Sequence, residues 1–130
     1  MSEEENIFRG IEVAQGRLKI ISDLGIRGII FHLAISAFSV TFAFQKTAVP
    51  REVMQIANAI VTFLALLSTI LITKDVQRVR RRLLDWHEKV GLKLDENEFM
   101  GIIWVARLYA VFCLMLIAFW VGLWFVPLNP

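Results

Sequence analysis

The feature that most constrains this chain is an apolar run over residues 26–45 that is as long as a membrane span. A helix of about 20 apolar residues crosses a hydrocarbon core of about 30 Å. Two further runs occupy about 53–73 and 102–126, and the mean hydropathy of the whole chain is +0.62. The sequence therefore predicts an all-α integral membrane protein, with three transmembrane helices in a single domain of residues 1–130.

The segments that flank the spans have helical patterns of their own. Residues 1–24 form an amphipathic N-terminal helix, in which Ser2 and Glu5 have the spacing of a capping box. The second span is expected to continue as a basic amphipathic helix to about residue 90, where Gly91 suits a C-terminal cap.

Small and polar residues recur every three or four positions along the first two spans. A helix surface that faces lipid has no need of such residues, whereas a helix-packing surface does. We therefore expect these positions to mediate helix packing. They are Gly25, Gly28, His32, Ser36, Ser39 and Ala43 in the first span, and Gln55, Asn58, Thr62, Ala65 and Thr69 in the second.

Both stripes continue beyond the spans with a period close to 3.5 residues, which is typical of left-handed helix pairing. If the short polar turn at 46–51 reverses the chain, the residue numbers of facing positions add to 97, as for Leu18 and Val79. We predict that the first two helices, 3–45 and 52–90, form a long antiparallel hairpin that extends into the cytoplasm. The alternative is a helix break at Ser22–Gly25 that leaves the N-terminal helix flat on the membrane surface.

The distribution of basic residues predicts the orientation. Of the 14 Lys and Arg residues, seven lie between Lys74 and Lys93 and four lie in the segment that ends at Arg27. The positive-inside rule then places the N-terminus and the 74–101 loop in the cytoplasm and the C-terminus on the outer side. The arginines expected to contact lipid headgroups, anionic at the cytoplasmic face, are Arg78, Arg80, Arg81, Arg82 and Arg107.

Aromatic residues lie near both ends of the third span. Trp104 and Tyr109 are close to its start, and Trp120 and Trp124 are close to its end. Such a distribution is typical of side chains that sit at the two membrane–water interfaces.

Two ionisable residues, His32 and Arg107, lie well inside the spans. One interpretation makes His32 an axial ligand of haem b shared with another subunit. The simpler one makes it a packing residue bonded to Thr69 or to water. The sequence contains no paired carboxylates, nucleophile with a base, phosphate loop or metal-ligand spacing, and it has a single cysteine, Cys113. We therefore expect no enzymatic activity, no metal, no resident cofactor and no nucleic-acid partner.

These observations favour a non-catalytic, small polytopic membrane protein that acts as a structural, scaffolding or accessory subunit. Its expected partners are the bilayer and either further copies of the same chain or other membrane subunits. Two alternatives stay open. One is an oligomeric ion channel or membrane effector lined by the polar stripes, and the other is a haem-b anchor of an electron-transfer complex that binds through His32.

Overall fold

The computed structural model describes residues 2–43, 45, 49–92 and 100–126, and these fold as three α-helices. Helix α1 comprises Glu3–Ala43, α2 comprises Arg51–Lys89 and α3 comprises Met100–Gly122. The described residues contain no strand, which confirms the all-α prediction. Each helix is long and apolar enough to cross a membrane, as the three apolar runs predicted.

Helix α1 is continuous from its first turn to its last. The predicted capping box is present, because the Ser2 N–H donates to Glu5 Oε2 at 3.0 Å and the Glu5 N–H donates to Ser2 Oγ at 3.2 Å. The helix does not break near Gly25, so the alternative with an interrupted first helix is wrong. The Ser22 hydroxyl donates to the carbonyl oxygen of Leu18 at 2.7 Å, so this polar side chain finds its hydrogen-bond partner in its own helix.

Helix α2 ends in the manner that Gly91 predicted. Gly91 has a φ of 73°, in the left-handed region that glycine adopts without a Cβ penalty. Its N–H donates to the carbonyl of Glu88 at 3.1 Å, and the Leu92 N–H donates to the carbonyl of His87 at 2.9 Å. These two bonds form a Schellman motif, which satisfies carbonyls that the end of the helix leaves unpaired.

Helix α3 ends earlier than the sequence predicted. We expected it to reach about residue 126, but it ends at Gly122 and the chain then turns through residues 123–126. The N–H groups of Trp124 and Phe125 donate to carbonyls three residues earlier, at 3.1 and 3.0 Å. Pro127 follows in the sequence and disfavours helical conformation at Val126, the residue before it.

The three helices pack side by side in alternating directions. Contacts between α1 and α2 join Gly10 to Trp86 and His32 to Thr62, so one helix rises in residue number as the other falls. Helix α3 packs mainly against α2, and the guanidinium of Arg51 at the start of α2 donates to the carbonyl of Leu123 at 2.9 Å. Therefore α2 runs antiparallel to both of its neighbours.

The apolar core lies at the charge-rich end of the bundle, where α1 begins and α2 ends. It consists of the predicted stripe residues of both helices together with one residue of α3. In its centre, Leu18 and Leu83 are both 0% exposed. The core residues are Ile11, Ala14, Leu18, Val76, Val79, Leu83 and Ile103.

Two glycines of α1 give a direct test of this packing. A Cβ at Gly10 would lie 3.3 Å from two ring carbons of Trp86, whereas a Cβ at Gly16 would meet nothing within 4 Å. We expect Gly16→Ala to stabilise the protein by about 1 kcal/mol, the difference in helix propensity. Gly10→Ala should lose that gain, because displacing the Trp86 indole costs about 1–3 kcal/mol. Thermal unfolding in lipid nanodiscs measures both, and equal gains would contradict the close Gly10–Trp86 contact.

Candidate functional site

Three polar side chains, one from each helix, meet around the ring of His32. Its Nδ1 is hydrogen-bonded to the hydroxyl of Tyr109 on α3, and its Nε2 lies 3.4 Å from the hydroxyls of both Ser36 on α1 and Thr62 on α2. His32, Ser36, Thr62 and Tyr109 are all buried, and we call them the His32 cluster. It is the polar connection through which α1 reaches both other helices.

The partners of His32 are three hydroxyl groups and none is a carboxylate, so nothing in the cluster would compensate the buried charge of a protonated imidazole. A neutral imidazole carries a proton on one ring nitrogen and accepts at the other. If Tyr109 donates its O–H to Nδ1, then Nε2–H faces the hydroxyls of Ser36 and Thr62. In the other tautomer, Nδ1–H donates to the Tyr109 oxygen and Nε2 accepts. Either arrangement satisfies both nitrogens with groups of this chain.

A cavity of about 680 Å³ lies beside the His32 cluster, between the three helices. It is lined almost entirely by apolar side chains and by small residues, and His32 and Tyr109 form part of its wall. The small residues in the lining are Gly25 and Gly28 of α1, Ala65 of α2, and Gly101 and Ala106 of α3.

The predicted packing residues of the first span have two different environments. His32 and Ser36 are buried and Ser39 is half-buried. A Cβ at Gly25 or Gly28 would meet nothing within 4 Å, so the structure does not bring α2 close to either glycine. Ala43 lies in α1, but its side chain is outside the described part of the structure.

In the second span, Gln55 and Thr62 are buried, while Asn58, Ala65 and Thr69 are half-buried. Thr69 was the expected partner of His32, but its hydroxyl donates to the carbonyl of Ala65 in its own helix at 2.8 Å. Asn58 behaves similarly, because its Nδ2 donates to the carbonyl of Met54 at 2.8 Å. The hydroxyl that reaches His32 is that of Thr62, one turn or more closer to the start of α2.

Several buried donors lie at the opposite end of the bundle from the apolar core. Within the described part of the chain, Arg51 Nε, Gln55 Nε2 and Trp120 Nε1 have no hydrogen-bond partner. Gln55 was a predicted packing residue, and Trp120 was expected at a membrane interface. Trp120 is instead 1% exposed, because its position on α3 faces the other helices.

The arginines expected to contact headgroups are mostly at the surface. Arg78, Arg81 and Arg82 are exposed, while Arg80 is half-buried. Arg107 is exposed on α3, and its guanidinium lies 5.6 Å from the ring centroid of Trp104. Such a distance allows a cation–π interaction between the two side chains.

The described residues contain no group of three or more His, Cys, Asp or Glu side chains arranged to hold a metal ion. The second histidine, His87, lies in the charge-rich end of α2, where its Nδ1 is 2.7 Å from the carbonyl oxygen of Leu83. The nearest partners of His32 are thus hydroxyl groups, and the structure does not place the two histidines together.

Tyr109 is the functional candidate that the sequence analysis missed. We assigned it to the membrane interface, but it is 7% exposed and its ring meets that of His32 edge-on at a centroid distance of 5.7 Å. A signal existed in the sequence. Tyr109 shares a helical face with Cys113 and Trp120, both of which are buried, whereas Trp104 on another face is exposed.

No family model, curated protein or solved structure matches this chain. The arrangement itself defines a bundle of three long apolar helices, with an uncharged hydrogen-bonded cluster and an apolar cavity at its centre.

The hydroxyl of Tyr109 is expected to stabilise the bundle through His32. We expect Tyr109→Phe to lower the free energy of unfolding by about 1–3 kcal/mol, because it leaves a buried ring nitrogen of His32 without its partner. Equilibrium unfolding in mixed micelles measures this change. The control is Thr41→Val, which removes an exposed hydroxyl that donates to the carbonyl of Ala37 and should change stability by less than about 0.5 kcal/mol.

A double-mutant cycle separates this bond from general packing effects. If the bond carries the effect, Tyr109→Phe should cost much less when His32 is already Leu. Additive costs in the cycle would show that the two side chains stabilise the bundle independently.

Proposed function

We propose that this protein is a non-catalytic membrane subunit that assembles with further copies of itself into a structural scaffold. In this proposal the paired helices α1 and α2 cross the membrane and continue beyond it as a long antiparallel hairpin on the cytoplasmic side. The observation that carries the proposal is an exposed apolar stripe on α1 that runs through both the membrane part and the extension.

The lengths of the helices support an extension beyond the bilayer. Helices α1 and α2 have 41 and 39 residues. At about 1.5 Å per residue they are about 62 and 58 Å long, against a hydrocarbon core of about 30 Å. Helix α3, with 23 residues, is about 35 Å long and matches the core alone.

The chemistry of the contact between α1 and α2 changes along its length. The apolar core residues, such as Leu18 and Val79, lie at the charge-rich end, and the buried polar residues, such as His32 and Thr62, lie within the apolar runs. Water favours the burial of apolar side chains, whereas lipid offers apolar side chains no such preference. The change therefore supports an aqueous environment for the first part of α1.

Large apolar side chains are exposed in that same part of α1. Val13 and Ile20 are 66% and 61% exposed, and Phe8 is also exposed. Lipid would not cover them in the proposed extension. By contrast, the described residues of α2 between 73 and 91 expose no large apolar side chain. The uncovered apolar surface of the extension therefore lies on α1.

Val13 and Ile20 belong to a second stripe along α1. Its members, which we call the outer stripe, are separated by steps of seven, four, seven and seven residues, which is the spacing of helices that pair with each other. Ile20 is about 200° around the helix axis from the buried Leu18, so the outer stripe faces away from α2. The outer stripe consists of Val13, Ile20, Leu24, Phe31 and Phe38, all of which are exposed.

Two arginines lie between members of the outer stripe, and each is paired with an acidic residue. Arg17 Nη2 lies 3.0 Å from Asp75 Oδ2, and Arg27 Nε lies 3.2 Å from Asp23 Oδ2. The paired charges reduce the repulsion between two copies of α1 that approach through this face.

A second copy of the chain is the partner that suits the outer stripe. Copies inserted in the same orientation are related by rotation about the membrane normal, so their α1 helices are parallel and equal residues lie at equal heights. A stripe that crosses both lipid and water then meets an identical stripe along its whole length. A soluble partner would cover only the extension.

Cysteine cross-linking in membranes tests the proposed assembly. In a Cys113→Ala background, Val13→Cys and Ile20→Cys should each form disulfide-linked dimers on mild oxidation, because equal positions meet across the interface. The matched control is Lys19→Cys, which lies at the same height as Ile20 but about 100° around the helix. We expect little cross-linking there.

Native mass spectrometry of nanodiscs provides the second measurement. The proposal requires an oligomer of this chain, so a stable monomer would overturn it. Equal cross-linking at positions 19 and 20 would place the interface elsewhere on α1.

The proposed orientation is testable with a reagent that does not cross membranes. Cysteines at Gln45 and Phe125 should react with an impermeant maleimide in intact cells, whereas cysteines at Glu5 and Glu88 should react only after permeabilisation. This pattern follows from the basic residues, since Arg78, Arg81 and Arg82 are exposed and would face the anionic leaflet. Labelling of Glu88→Cys in intact cells would contradict this orientation and support the opposite one.

The polar stripes themselves favour packing over ion conduction. The hydroxyls of Thr69 and Thr73 donate to carbonyls of their own helix, both at 2.8 Å, and those of Ser36 and Thr62 face His32. Hydroxyl groups that are engaged in this way have their donors satisfied by the protein, which supports a packing role over the lining of an aqueous path.

A further inference from the structure

We propose that the cavity beside the His32 cluster binds an uncharged lipophile, in which a hydrocarbon portion carries one hydroxyl or carbonyl group that hydrogen-bonds to Tyr109. This proposal concerns the interior of one copy of the chain and does not depend on the assembly through the outer stripe.

The size and lining of the cavity determine the class of ligand. Its volume of about 680 Å³ lies within the range of about 300–1,000 Å³ that is usual for small-molecule sites in proteins. Among the described residues, no Lys, Arg, Asp or Glu lines it. Burying a charge in such surroundings is costly, so the part of the ligand inside the cavity must be uncharged.

The buried hydrogen-bonding groups of the cavity lining are concentrated at one end of the cavity. The hydroxyls of Ser22 and Thr69 donate to carbonyls of their own helices at 2.7 and 2.8 Å, and Ser68 is exposed. His32 and Tyr109 are the buried polar residues of the lining. Apart from the exposed hydroxyl of Ser68, a ligand with polar groups at several points would therefore find few partners in the lining.

Tyr109 has one hydrogen-bonding position left for a ligand. A phenol can donate once and accept at two lone pairs, and its bonds to His32 and to the Cys113 thiol use two of these three positions. If Tyr109 donates to His32, its oxygen accepts from a ligand hydroxyl. If it accepts from His32, its O–H donates to a ligand carbonyl or hydroxyl. A single oxygen group on the ligand is the chemistry that this position recognises.

Small residues on each of the three helices create the space that the cavity offers to a ligand. Gly28 matters most for a test, because a Cβ there would meet nothing within 4 Å. A larger side chain at Gly28 can therefore occupy the cavity without displacing a neighbouring helix. Ala106 lines the cavity from α3 and gives a second, independent site for such a substitution.

Photolabelling of the full-length protein in nanodiscs tests the proposal. The probe is hexadecanol with a diazirine on its chain, and the labelled peptides are identified by mass spectrometry. We expect labelling within residues 21–32 and 101–109 that unlabelled hexadecanol suppresses. Hexadecane should compete about two- to tenfold less well, since it lacks one hydrogen bond. Tyr109→Phe should abolish this difference between the two competitors.

Filling variants separate binding in the cavity from partition into the bilayer. Gly28→Leu and Ala106→Leu should each reduce the labelling of these peptides, while Ala57→Leu, on an exposed face of α2 that does not line the cavity, should leave it unchanged. Circular dichroism verifies that each variant is folded. The proposal is overturned if both folded filling variants label as the wild type does or if hexadecane competes as well as hexadecanol.

Discussion

The contact between α1 and α2 is the interaction on which the rest of this structure depends. It keeps a near-heptad spacing from Ile11 at the charge-rich end to His32 and Ser36 within the apolar run. The chemistry of the side chains changes along it, and the two helices separate at Gly25 and Gly28, where the cavity lies. Apolar burial is an effective driving force in water, whereas hydrogen bonds and close packing must take its place in lipid. One periodic contact can thus serve two solvents, provided that its side chains change where the solvent changes.

Much of the helical architecture could be predicted because local rules determine it. The capping box at Ser2 and the left-handed Gly91 are short-range features with clear residue preferences, and the structure contains both. The apolar core residues of α1 and α2 also follow from a period that the sequence displays. By contrast, the end of α3 at Gly122 was missed, because nearly every residue of this span is apolar and gives no boundary signal.

The candidate site could be predicted only in part. His32 stood out as an ionisable residue inside a span, but its partner Tyr109 lies 77 positions away on a helix without a polar stripe. Periodicity likewise suggested that α2 approaches Gly25 and Gly28. It does not, because α3 holds α2 through other contacts and the three helices leave a cavity there. The distance between helices is a tertiary property that no single helix encodes.

The face of α1 that packs within the bundle and the face that carries the outer stripe depend on different residues. This difference explains why one helix can carry both surfaces. The inner face is fixed by residues with no exposed surface, such as Leu18, and by a hydrogen bond from each of two neighbouring helices to His32. Because those contacts already hold α1 within its own chain, the outer stripe needs no role in folding the single copy. Its large side chains, such as Phe31 and Phe38, stay exposed in the single copy. In a folded copy they are a preformed surface, so pairing two copies costs little conformational entropy of the backbone. A Cβ at Gly28 would meet nothing within 4 Å, and of the outer stripe only Leu24 reaches the lining of the cavity, so assembly along the rest of the stripe and binding in the cavity are compatible within a single helix.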